Sequence, residues 1–109
     1  MNQKSKKKIV VLKTLSLQNQ FFVLVKDYIS NCEIIFDHNK RKEFEQFIKD
    51  VKYAVGFEIR NDLNLIAMWL AGGIPQSMYQ YKLNLENGGK ATYPRKYDFF
   101  AIDIKYLHR

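Results

Sequence analysis

The sequence predicts an α+β fold of about five mainly antiparallel strands, in the order β-β-β-α-α-β-β, with one or two helices packed on the sheet. Three observations carry this expectation. The chain opens with three apolar segments rich in β-branched and aromatic residues, Ile9–Leu17, Phe21–Ile29 and Cys32–Phe36. Phe44, Phe47, Ile48, Val51, Ala54 and Val55 then recur at the spacing that gathers side chains on one helical face. Finally, Tyr79, Tyr81, Leu83 and Leu85 alternate with Gln80, Lys82, Asn84 and Glu86, the period of a half-buried strand.

In chain order, residues 1–8 read as a disordered basic tail and residues 9–109 as a single α+β domain. The first three segments read as a meander joined by turns at Gln18–Gln20 and Ser30–Asn31. The central helix lies within Asp37–Gly56, capped by Asp37 or Asn39 and stopped at Gly56. Its apolar stripe needs a partner surface, which the strands supply. Phe57–Leu70 reads as a helix starting at Asn61–Asp62 and apolar nearly all round, or as a hairpin turning there; the helix is preferred. Gly72, Gly73 and Pro75 end that segment. The alternating Tyr79–Glu86 strand then turns at Asn87–Gly89 into a returning strand, Tyr97–Leu107, with Phe100, Ile102, Ile104 and Tyr106 on one face.

At 109 residues and 47% apolar content, the chain can build one packed core. The single cysteine, Cys32, excludes an internal disulfide framework and a cysteine zinc site. No apolar run reaches membrane-spanning length, and the basic start lacks the apolar core and cleavage site of a signal peptide. A cytoplasmic protein is expected.

The net charge of +7 is concentrated at the ends. Met1–Lys8 carries four lysines and no acid, residues 9–86 balance, and Asn87–Arg109 holds five bases against two acids. Such margins attract phosphates or an acidic protein face. The tail residues Lys6, Lys7 and Lys8, with His108 and Arg109 at the other end, are one candidate binding set. Lys40, Arg41 and Lys42 are a second: they crowd a helix start, where the macrodipole disfavours cations, and so suggest a basic knob for phosphate or carboxylate. Lys90, Tyr93, Arg95, Lys96 and Tyr97 are the third, interleaving bases with rings as single-strand or RNA binders do, and as protein hot spots also do.

Neither His38 nor His108 sits in a metal spacing, and no Gly-rich phosphate loop or nucleophile elbow occurs. No catalytic residue, metal or cofactor is therefore expected. Gly73–Tyr79 superficially fits the turn and second helix of a helix-turn-helix, but the alternation after it argues against a recognition helix. The late hairpin ending in Tyr106-Leu107-His108-Arg109 resembles the ending of RelE-type ribonuclease toxins, which cleave RNA without a metal. That resemblance implies Arg95, Lys96, Tyr97, His108 and Arg109 as the analogous set, although three strands ahead of the helix depart from the family's order.

These features point to a non-enzymatic binding protein acting on nucleic acid or a nucleoprotein machine, with the character of a phage-type inhibitor of a host nuclease or CRISPR effector. A small metal-independent ribonuclease and a direct single-stranded DNA- or RNA-binding protein are the alternatives. The expected partner is nucleic acid or a nucleic-acid-handling host complex, with no membrane and no small-molecule cofactor.

Overall fold

A computed structural model of the chain describes residues 7–90 and 96–106. Their element order is β1 (Lys8–Ser16), β2 (Phe21–Asp27), β3 (Glu33–Asp37), α1 (Arg41–Phe47), β4 (Val51–Gly56), α2 (Ile59–Leu70), α3 (Pro75–Glu86) and β5 (Phe100–Asp103). The class is α+β, but the sheet is mixed. Its strand order is β3-β2-β1-β4-β5, with β1, β2 and β3 antiparallel and β4 and β5 parallel to β1.

The opening meander forms as expected. Leu17 N–H donates to the Gln20 carbonyl at 2.8 Å to close the first turn. Asp27 Oδ1 accepts the amides of Ile29 and Ser30 at the second. Lys8, assigned to the tail from sequence, begins β1; its ammonium sits 3.9 Å from Asp27 Oδ2 and over the Phe47 ring.

The central helix is less than half as long as predicted. Only Arg41–Phe47 is α-helical; one 3-10 turn follows, and Val51–Gly56 is a strand between β1 and β5. A register shift between Lys8 and Ile9 turns both Val51 and Ala54 toward the helices, so Val51, Ala54 and Val55 imitate helical spacing. The β-branched and aromatic side chains of Val51, Tyr53 and Val55 suit the strand better. Gly56 is no left-handed helix stop. It lies where β4 passes β1 so closely that a Cβ would stand 2.8 Å from the Leu12 carbonyl oxygen.

Phe57–Leu70 is the preferred helix, begun at Glu58 rather than at Asn61–Asp62, so that Asp62 is buried inside α2. The predicted Tyr79–Leu85 strand is instead α3. Pro75 occupies its first turn, where a missing amide costs nothing, and Met78 and Tyr81 turn inward with Leu85 half-buried beneath them. That inward trio has helical spacing, which the accidental alternation of tyrosines and leucines obscures. Asn87–Gly89 is consequently not a hairpin turn. Gly88, at φ +88°, donates to the Leu85 carbonyl while Gly89 donates to Asn84, and Gly72 and Gly73 end α2 by the same pair of bonds to Trp69 and Met68. The returning strand shrinks to Phe100–Asp103 and pairs with β4.

All three helices lie on one face of the sheet. Val10, Leu12, Phe21, Val23, Val25, Phe36, Val51 and Ala54 pack there against Phe44, Ile59, Ile66, Trp69 and Met78. Trp69 is the hub: fully buried, it contacts the rings of Phe21 and Phe44 and donates its indole N–H to the His38 carbonyl at 3.1 Å.

Candidate functional site

Strand pairing fixes what the opposite face presents, because directly opposed residues point the same way. One row across the sheet is Glu33, Lys26, Val11, Val55 and Ile102. Ile35, Leu24 and Lys13 form another, Asp37, Phe22 and Leu15 a third, and Ile9, Tyr53 and Phe100 a fourth. No helix among the described residues covers this face. Ile35 and Phe100 are 59% and 66% exposed, and Val11 and Leu15 more than 40%. The result is an aliphatic field edged by Glu33 and Asp37 and interrupted by Lys13 and Lys26.

A cleft of about 240 Å³ opens at the carboxyl ends of β1 and β4. There the chain leaves β1 toward β2 and leaves β4 in the other direction, the kind of switch point where open sheets place ligands. Thr14 and Ser16 come from β1, Glu58 and Asp62 from the start of α2, and Lys82, Leu85 and Glu86 from α3. Asp62 Oδ1 accepts from the Thr14 hydroxyl at 2.5 Å and from the Thr14 amide at 3.2 Å. Asp62 Oδ2 and Ser16 Oγ are buried without a hydrogen-bond partner among the described residues. Burial pushes the Asp62 carboxyl above the ordinary carboxylate value; the Thr14 hydrogen bonds and the Lys13 charge oppose this, and Glu58 adds to it. Glu58 is held in the left-handed region at φ 55° because Asp103 Oδ1 accepts its amide at 2.8 Å. The Lys105 ammonium meets Glu58 Oε2 at 2.9 Å, a bond that raises the lysine above its usual value.

The sequence-predicted residues separate. Lys6, Tyr93, Arg95, His108 and Arg109 lie outside the described residues. Lys7 and Lys90 are exposed, beside β1 and past the end of α3. Lys42 and Lys96 come together, with Tyr97 and the unforeseen Lys49, around a depression of about 530 Å³ that also holds Glu45 and Asp98. Tyr97 is half-buried, its hydroxyl donating to the Leu63 carbonyl at 3.1 Å and its ring stacked on Phe99. Lys40 is exposed at the α1 start. Arg41 turns away from the knob expected there: its Nε–H donates to the Trp69 carbonyl at 2.8 Å and its guanidinium lies over the indole. A cation there sits at the carboxyl end of α2, which the macrodipole favours.

Sequence reasoning missed the cleft and the open face. Thr14 and Ser16 were legible as polar residues alternating with Leu15, but only pairing shows that they point toward the helices. Among the described residues, no group of histidine, cysteine, aspartate and glutamate side chains has a metal-binding arrangement. No helix there is long and apolar enough to cross a membrane. The fold and site together define a two-layer α+β protein whose sheet is covered by helices on one face and, among the described residues, by no helix on the other. No family model matches the sequence, and neither a curated protein nor a solved structure matches it.

Proposed function

We propose that the chain is a non-enzymatic binding protein that docks on a protein component of a nucleic-acid-handling assembly through the bare face of its sheet. The carrying observation is the aliphatic field of Val11, Leu15, Leu24, Ile35, Val55 and Ile102 with charges at and within its border. An apolar centre with a polar rim is the anatomy of a protein interface, whereas single-strand platforms rely on rings for successive bases. The strand pairings put Phe22, Tyr53 and Phe100 on this face, set among aliphatic side chains rather than in a continuous track of rings. Lys13 and Lys26 fit a partner patch bordered by acids, and the net charge of +7 suits the acidic or nucleic-acid-bearing surroundings of such an assembly. An inhibitor of a nuclease or of an RNA-guided effector would act in this way.

The convergence of Lys42, Lys49 and Lys96 favours direct nucleic-acid binding as a second reading. The ribonuclease alternative has less support. Its hairpin is replaced by α3, and Tyr97 is tied to Leu63.

The test is capture from lysate with the tagged chain, before and after nuclease digestion, alongside the variant Ile35→Lys/Phe100→Lys. The expected result is a nuclease-resistant polypeptide partner that belongs to a nucleic-acid-handling complex and is lost with the variant. Capture abolished by nuclease, or indifferent to both substitutions, would overturn the proposal.

A further inference from the structure

Among the described residues, β3 is the outer strand of the sheet and pairs on one side only, with β2. The register shows which of its main-chain groups are left over. Asp27 N–H donates to the Cys32 carbonyl at 2.9 Å, and hydrogen-bonded pairs alternate along an antiparallel ladder. Ile34 and Phe36 therefore direct their amides and carbonyls to Val25 and Val23. The amides of Glu33, Ile35 and Asp37 and the carbonyls of Glu33 and Ile35 point away from the sheet. The Asp37 carbonyl is taken, accepting the Lys40 amide at 2.9 Å.

An open edge is a template for another strand unless something blunts it. β3 has neither proline nor lysine, its pairing with β2 runs without a bulge, and Glu33, Ile34 and Ile35 are exposed. Phe36, buried against the rings of Phe44 and Phe47, holds the strand in place, so little ordering is needed on binding.

Charge selects the strand that fits. In a chain of net charge +7, the segment from Asp27 to Asp37 carries three acids and no base. Asp27 is committed to its own turn and to Lys8. Glu33 and Asp37 flank Ile35 on the open sheet face, one at each end of the edge. Asp37 is half-buried and already accepts the Asn39 amide, so exposed Glu33 is the stronger determinant. A second copy fits poorly: full overlap of two β3 edges sets Glu33 against Asp37 twice, and directly opposed like charges repel.

We propose that the β3 edge accepts, as an added antiparallel strand, an extended segment of the docked partner with Lys or Arg two residues either side of an aliphatic one. The inference rests on the docking reading above and names how the partner engages. Main-chain bonds supply the attachment, and the alternate side chains opposite Glu33, Ile35 and Asp37 supply the selectivity.

The test titrates the ¹⁵N-labelled full chain with acetyl-Thr-Lys-Thr-Val-Thr-Lys-Thr-amide at pH 7. Saturable shifts are expected at the amides of Glu33, Ile35 and Asp37. Hydrogen exchange should slow at Glu33 and Ile35 and change little at Ile34 and Phe36, which already pair with β2. The same peptide with N-methylvaline, or with glutamate in place of both lysines, should not bind. Glu33→Lys should weaken binding about three- to tenfold, one opposite-charge pair exchanged for a like-charge pair. Ile35→Pro removes an outward amide that β2 does not use, so it should abolish binding while the spectrum stays that of the folded chain. Equal binding of the N-methylvaline peptide, or undiminished binding in both variants, would overturn the inference. So would slow exchange at Glu33 and Ile35 in the free chain: at all concentrations it means cover by the chain itself, and rising with concentration it means a second copy. Partner capture undiminished in Ile35→Pro but lost in Ile35→Lys/Phe100→Lys would overturn the added strand and leave the docking surface standing.

Discussion

Replacing Arg41 with methionine removes one charge-assisted hydrogen bond, Nε–H to the Trp69 carbonyl at 2.8 Å, and a longer contact to the Gly73 carbonyl at 3.5 Å. It also removes a cation from the carboxyl end of α2. Hydrogen bonds to charged groups contribute about 1.5–3 kcal/mol, and a cation at a helix end about 0.3–1 kcal/mol. Arg41 is half-buried and methionine keeps part of its packing, so a net loss of about 2 kcal/mol is expected. Urea unfolding at pH 7, followed by the fluorescence of Trp69 and by circular dichroism, should show a lower midpoint with an unchanged slope. Arg41→Lys should recover part of the loss. Lys40→Gln and Lys42→Gln, at exposed positions of the α1 start, should stay within about 0.5 kcal/mol of the parent. The sequence alone suggests a gain on neutralising all three cations; the structure reverses that sign at Arg41. Arg41→Met unfolding within about 0.5 kcal/mol of the parent would refute the reasoning.

Asp62→Asn should change how stability depends on pH. A carboxyl raised on folding contributes stability below its unfolded value, near 3.9, and loses it as pH rises through the folded value. Lys13 on β1, Glu58 at the α2 start, and Lys82 and Glu86 on α3 are the other charged groups lining its cleft. The stability of the variant relative to the parent should therefore rise as pH increases above the unfolded value, in paired melts across the acid range. A difference that is flat with pH would contradict the placement of Asp62. Gly56→Ala forces a methyl to within 2.8 Å of the Leu12 carbonyl and 3.3 Å of Ile59, so thermal melts should show a loss of about 1–3 kcal/mol. If the basic depression binds nucleic acid, Lys42→Gln/Lys49→Gln/Lys96→Gln should weaken affinity for a single-stranded oligonucleotide and flatten its salt dependence. Unchanged binding would assign those lysines to solvation.

The opening meander was readable because Val10, Leu12, Val23 and Val25 carry their burial in local composition and period. α2 was readable for the same reason. The errors lie where local pattern and chain environment diverge. Val51–Gly56 buries Val51 and Ala54 under the helices and half-buries Tyr53 and Val55 on the other face, and a register shift opposite its start breaks the strand period. Tyr79–Leu85 alternates, yet Met78, Tyr81 and Leu85 are the side chains the helical layer takes in, a trio with no meaning until α2 is in place. Arg41 looked like a misplaced cation because the helix end it serves belongs to another element, 28 residues away.

By itself the sequence determined the α+β class, a single core, the basic margins, and the glycine endings of the segments before Ile74 and Lys90. Composition, charge and backbone freedom are properties of residues, and they survive any arrangement of the chain. Only the tertiary structure decided that β4 and β5 run parallel to β1, that no helix among the described residues covers one sheet face, and that Asp62 shares a cleft with Ser16. Those outcomes depend on pairing between residues far apart in the chain, where hydrogen-bond register, not local pattern, sets which side each residue faces.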